Sequence, residues 1–258
     1  MELLYVEQLR KRKDVLEGKN DEQDGDNDED DEKNSDDILD CAIVKVVVQN
    51  AVDTIQDPKF IVSLIATLRI FSFTEEIVDQ MFGVLEEKYP DSPITWDTLA
   101  RDKLKDGILA CVDKYFEGLQ KLKDQELFKM AFSTLTELPS MFPKSLVRIT
   151  KNILRLLEYG RENSLLGVEH FKFWIELLDD DKQVDKKKDL IADALKVYPS
   201  SVELWTEQLI FTQKIDSKGS KEGEGSCSKV LENHFRESVS ALADNKEETL
   251  QIWNVLLR

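Results

Sequence analysis

Two stretches decide how this chain is read: VLEEKYPDSPITWDTLAR at residues 84–101 and DALKVYPSSVELWTEQLI at residues 193–210. They align without a gap. Tyr89-Pro90 stands over Tyr198-Pro199, Ser92 over Ser201, and Trp96 over Trp205. In each copy an amphipathic helix stops at Tyr-Pro, because a proline disfavours helical backbone at the residue before it. A second helix with an early Trp follows. Beyond the Trp the copies diverge: Leu99 falls opposite Gln208, and Leu209 comes one position later. Residues three and four positions past the Trp share a helix face, so either leucine can pack beneath the ring. The offset of 109 residues is about three units of roughly 36 residues, the size of a helix-pair repeat.

Other helices extend the pattern. Phe171, Phe173 and Trp174 lead one whose Trp stands 31 residues before Trp205, and Trp253 leads another 48 residues after it. The longer interval holds DSKGSKEGEGSCS, a polar insertion expected to form a Gly/Ser-rich loop at 216–226. All four tryptophans lie in apolar helical patterns and are expected to pack between the helices of hairpins. The expected fold is all-α: a helix-hairpin repeat solenoid, a tetratricopeptide-like superhelix.

Residues 1–18 are helical in pattern. Residues 20–37 carry eleven acidic side chains against one Lys, and 19–37 are expected to be a disordered acidic loop. A repeat array over 38–258 follows. Its helices are expected at 38–55, from Pro58, from Thr74 to Tyr89, from Pro93, and at 106–122, 125–138, 144–161, 167–178, 184–198, 202–214, 228–242 and 247–257. Thr74 is the expected N-cap of its helix, with Glu75 and Glu76 favouring the dipole in the first turn. No segment alternates apolar and polar residues with the period of a strand.

Of the net charge of −17, the acidic tract holds −10, leaving −7 for the remaining 240 residues. A mildly acidic body repels a phosphate backbone, which disfavours a broad nucleic-acid footprint. Two basic runs stand out. Arg10-Lys11-Arg12-Lys13 serves nuclear import, touches RNA, or is a solvated helix face. Lys186-Lys187-Lys188 lines a concave surface or is simply solvated. The three cysteines, Cys41, Cys111 and Cys227, suggest no disulfide framework and point to a reducing compartment. No apolar run is long enough to span a bilayer.

Catalytic signatures are missing. The chain has two histidines, His170 and His234, and neither they nor the cysteines have metal-ligand spacing. The glycines at 219–225 match neither a P-loop nor a dinucleotide fingerprint, and no Gly-x-Ser-x-Gly elbow occurs. No catalytic residue, cofactor or metal is expected.

The Trp-bearing first helix and the proline closing the second resemble half-a-tetratricopeptide (HAT) repeats, known from RNA-processing complexes. Within that class the chain resembles the small nucleolar RNA-associated protein 6 family of the small-subunit processome, which works with the U-three snoRNA. The resemblance is carried by MELLYVEQLRKRKDVLEG at 1–18 before a variable acidic loop, FIVSLIATLRIFSF at 60–73, SPITWDTLARDKL at 92–104, FKFWIELL at 171–178 and SVELWTEQL at 201–209. Lys103 stands where HAT repeats place an acidic residue beyond the Trp, so the usual polar contact between repeats is not expected there. The family's long N-terminal region is absent, and 253–258 reads as the first helix of a further unit, so the chain is expected to be incomplete as a functional unit.

The resemblance implies a non-catalytic scaffold acting in pre-18S rRNA processing in the nucleus and nucleolus. Its partners are expected to be protein subunits of a pre-ribosomal particle, bound in grooves between hairpins and on the concave face. Contact with snoRNA and pre-rRNA is expected to be indirect, with no membrane or small-molecule substrate involved. Two alternatives stay open: a HAT scaffold of splicing or mRNA 3′-end formation, and the helical-repeat α-subunit of a prenyltransferase.

Overall fold

The computed structural model describes residues 4, 7, 42–71, 73–178, 182–219, 227–242, 249, 250 and 252. Their regular structure is helical throughout, with no strand among the described residues. The order is α1 (Ala42–Thr54), α2 (Pro58–Leu68), α3 (Glu75–Lys88), α4 (Pro93–Asp102), a 3₁₀ turn (Lys103–Asp106), α5 (Ile108–Leu122) and α6 (Gln125–Met141). A second 3₁₀ turn (Pro143–Ser145) leads to α7 (Leu146–Glu162), α8 (Val168–Leu177), α9 (Val184–Val197), α10 (Val202–Gly219) and α11 (Cys227–Ala241). No helix among the described residues is long and apolar enough to cross a membrane.

Local chemistry explains most boundaries. Pro58 and Pro93 open α2 and α4, where a missing N–H costs nothing. Asp57 caps α2 by accepting from the Lys59 amide at 2.9 Å. Thr74 stands at the expected N-cap position of α3 but does not cap it. Its buried hydroxyl turns back to the Leu68 and Phe71 carbonyls, at 2.6 and 2.9 Å. The carbonyls at the end of α2 and in the turn after it compete with the α3 amides for the same hydroxyl and take it.

Other boundaries differ from those expected, three of them for a visible reason. The helix expected from residue 106 starts at Ile108, because Gly107 adopts φ 119°, a conformation open to glycine. Helix α6 passes its internal Pro139 and ends at Met141, since little helix remains for the lost bond to disrupt. Helix α10 runs on to Gly219, so 216–219 of the expected loop are helical. Residues 220–226 lie outside the described residues, as do those of the acidic tract at 19–37.

Contacts divide the chain into two compact units, Met1–Thr134 and Leu135–Arg258. In the first, α2 packs on α3 and α4 on α5, with α2 also touching α4. One core cluster there gathers Val44, Val48 and Val52 of α1, Ile61, Ile65 and Leu68 of α2, the apolar face of α3, and Leu99. In the second unit, α8 packs on α9, α9 on α10 and α10 on α11, with α8 also touching α10. Trp205, Leu209, Leu242 and Ile252 form a core cluster there. Each unit therefore contains two successive helix hairpins whose first helices touch.

Ion pairs reinforce this order. In the first unit Lys45 of α1 meets Glu76 of α3 at 2.6 Å, and Asp53 meets Lys88 at 2.9 Å. The early residue pairs with the early residue and the late with the late, so α1 and α3 run parallel. Glu86 of α3 reaches Lys114 of α5 at 3.0 Å, and Arg69, just past α2, pairs with Asp102 of α4. In the second unit Arg161 of α7 pairs with Asp193 of α9, and Lys172 of α8 with Glu203 of α10 at 2.9 Å. Every one of these pairs links alternate helices.

Candidate binding surface at the repeated Trp helices

The fourth residue of α4 is Trp96, and the fourth of α10 is Trp205. Both are buried, 4% and 8% exposed. Each indole N–H donates to the carbonyl of the proline six residues earlier: Trp96 to Pro90 at 2.7 Å, Trp205 to Pro199 at 2.8 Å. The preceding tyrosine ends its helix in the same way in both copies. The Tyr89 and Tyr198 amides bond the Leu85 and Ala194 carbonyls, and their own carbonyls accept from Ser92 and Ser201. The proline stops one helix while its carbonyl, free of any ladder, anchors the ring that starts the next hairpin.

The surroundings differ. Trp96 lies against Gly118 of α5, where a Cβ would come within 2.7 Å of the ring. Lys114 and Lys121 flank that glycine, with Nζ atoms 5.0 and 4.5 Å from the ring centroid, close enough for cation–π attraction. Leu99 is buried in the core built by α1 to α3. In the second copy Leu209 is buried beside Trp205, and Gln208 is buried as well. The Gln208 amide lies 3.1 Å from Nδ1 of His234 on α11, with the Thr212 hydroxyl 3.2 Å from the same atom.

Trp174 is buried but sits at the seventh position of α8. The fourth is Phe171, buried, 34 residues before Trp205, with its ring 6.3 Å from that of Tyr198 in an edge arrangement. Ile61 in α2 and Phe128 in α6 are likewise fourth residues and fully buried. Counting from each helix start finds these positions, whereas following tryptophan alone misses them. Trp253 and the run Arg10-Lys11-Arg12-Lys13 lie outside the described residues.

Other side chains are placed unexpectedly. Lys187, expected on a surface, is 7% exposed with its Nζ 5.5 Å from the Phe211 ring centroid. The helix turns the middle residue of the run inward while Lys186 and Lys188 stay exposed. Lys103 pairs locally with Asp106, and its neighbour Asp102 makes the contact to the preceding hairpin through Arg69. His170 is buried, and its Nδ1 accepts from the Gly167 amide at 2.8 Å at the start of α8. Tyr115, fully buried, donates to Asp97 and lies 2.9 Å from the Thr134 hydroxyl. Burial, and then the charge of Asp97, push its phenol pKa up. Burial pushes the Cys111 thiol up to about 11, which leaves it protonated and unreactive.

Polar clefts open beside these hairpins. The one in the first unit, about 540 Å³, is lined by Arg69, Phe71, Glu75, Asp79, Asp102 and Lys105 among others. Asp102 is held there by Arg69 and Lys105 together, and the Arg69 guanidinium lies 5.2 Å from the Phe82 ring centroid. In the second unit a cleft of about 580 Å³ lies over Glu169, Tyr198, Ser201 and Glu203. No group of three His, Cys, Asp or Glu side chains among the described residues could hold a metal ion. Mixed charges with one or two aromatic rings can hold an extended polypeptide by ion pairs and hydrogen bonds.

These features define an all-α protein of serial helix hairpins whose alternate helices are joined by ion pairs. Its sequence resembles the U3 small nucleolar RNA-associated protein 6 homologues. The mouse homolog is 25% identical over 248 residues, covering 84% of this chain and 39% of the relative. The human homolog is 30% identical over 105 residues, covering 41% of this chain and 17% of the relative. The chain thus spans well under half the length of either relative. No family model matches the sequence.

Proposed function

We propose that this chain is a HAT-type helical-repeat scaffold of the small-subunit processome, acting in pre-18S rRNA processing in the nucleolus. In this reading 38–258 form a repeat array, and the fourth-position aromatics with their Tyr-Pro stops are its repeat core. The observation that carries the proposal is the match to the mouse homolog along 84% of the chain. The indole–proline bond, made identically at Trp96 and Trp205, supports the repeat. Ion pairs between residues 28 to 35 positions apart, about one hairpin, support it further.

The role is non-catalytic. Its partners are protein subunits of the particle, held in the clefts beside the hairpins, with snoRNA and pre-rRNA associated through them. Arg10-Lys11-Arg12-Lys13 is the candidate import signal or RNA contact. The test is to tag the chain, express it in mammalian cells and probe the purified complexes for RNA. Enrichment of U3 snoRNA and sedimentation with pre-ribosomal particles are expected. Enrichment of spliceosomal RNAs or 3′-end cleavage factors instead would transfer the scaffold to another pathway.

A further inference from the structure

The turn between α6 and α7 brings four large apolar side chains to the surface of the second unit. Met141 is 61% exposed, Phe142 37%, Leu146 52% and Val147 85%. Ile149, Ile153, Leu156 and Leu157 repeat at helical spacing and bury their side chains, while Val147 falls on the opposite side and Leu146, on the same side but at the very start of the helix, stays exposed. Three cations, Lys144, Arg148 and Lys151, are exposed around them. None of the three has an ion-pair partner among the described residues, unlike the many lysines and arginines that pair with neighbouring helices. On α7, Arg148 and Lys151 are three apart and Val147 lies four before Lys151, so these side chains share one strip of the helix.

We propose that this surface docks an acidic amphipathic segment of a partner protein. The segment's carboxylates pair with Lys144, Arg148 and Lys151, and its apolar side chains cover Met141, Phe142, Leu146 and Val147. Free cations in a chain of net charge −17 select an acidic ligand. The apolar side chains select polypeptide over RNA, because Met141, Leu146 and Val147 offer no stacking platform for bases, Phe142 is the single and least exposed ring among them, and sugar-phosphate has nothing apolar to bury. Large exposed apolar groups within a charged rim are the usual composition of a protein-binding patch. The inference goes beyond the processome reading and stands without it.

The test is to pan a phage-displayed library of random sixteen-residue peptides against the full chain, with two variants as counter-targets. One is Lys144→Glu/Arg148→Glu/Lys151→Glu and the other is Phe142→Ser/Val147→Ser. All five positions are exposed, so thermal melts of both variants should match the parent. Enriched peptides are expected to combine Asp or Glu with Leu, Phe or Trp at helical spacing. Synthetic copies are expected to bind each variant at least tenfold more weakly. Basic or neutral peptides, equal binding to all three proteins, or no enrichment would each overturn the proposal. So would a homopolymeric RNA that binds at physiological salt and is lost only with the charge reversal, since that assigns the strip to phosphate.

Discussion

Each repeated tryptophan joins three constraints at one side chain: a buried ring, an indole donor, and a proline carbonyl fixed by a helix stop. Replacing Trp96 or Trp205 by Ala should cost about 3–5 kcal/mol through the lost ring and the cavity left behind. Phe at either position keeps most of the apolar surface but strands the proline carbonyl, and should cost about 1–3 kcal/mol. Urea denaturation of the four variants distinguishes ring from hydrogen bond. If Ala and Phe lose equal stability, the bond to Pro90 or Pro199 outweighs packing. Thr95, next to Trp96, makes the opposite prediction. Its hydroxyl is buried without a hydrogen-bond partner among the described residues, so Thr95→Val, of nearly equal shape, should raise stability by about 1 kcal/mol. A destabilised Thr95→Val would reveal a partner for that hydroxyl.

Among the elements, the junction between α2 and α3 is the most exacting, because one hydroxyl serves two carbonyls there. Thr74→Val removes both bonds while keeping the shape and should cost about 1–3 kcal/mol, whereas Thr74→Ser should cost less. Equal losses in chemical denaturation would mean that the methyl group, rather than the hydroxyl, holds the junction. Helix α5 makes a pH-dependent prediction through Cys111. Its folded thiol is pushed up to about 11 from an ordinary 9.0. Between those values the unfolded chain releases the thiol proton while the folded chain keeps it. The unfolded state then binds fewer protons, and stability falls as pH rises through that window. The upward-shifted Tyr115 phenol continues the fall at higher pH. Urea midpoints at pH 8, 9.5 and 11 should decline, and Cys111→Ala should flatten the first part of that decline.

At the scale of the whole molecule, ion pairs set the order of helices but contribute little to stability, because most are exposed and screened by salt. Thermal melts in 0.05 and 1 M sodium chloride should therefore differ by only a few degrees. A collapse in high salt would show that charge rather than the Val, Leu and Ile core holds the hairpins together. The helical class and the repeated Trp unit were legible because prolines, the Tyr-Pro stops and the 3.6-residue apolar period act locally. Phe171 and Phe128 were harder to find, since what they share with Trp96 and Trp205 is a buried fourth position from the helix start, which shows only once the helix boundaries are set. The burial of Lys187 and the exposure of Val147 were illegible for a related reason: each depends on which face of a helix meets its neighbour.

By itself the sequence determined most of the helices, their stops and the resemblance to the U3 small nucleolar RNA-associated protein 6 homologues, since all three reside in residue order and local backbone preference. Only the tertiary structure decided that Thr74 serves the helix behind it, and that Asp102 rather than residue 103 reaches the preceding hairpin. It alone left Lys144, Arg148 and Lys151 without an ion-pair partner among the described residues, beside the exposed Met141, Leu146 and Val147. Such pairings join residues some thirty positions apart or compare neighbours on one helix face, and their outcome depends on distances that exist only after the hairpins have packed.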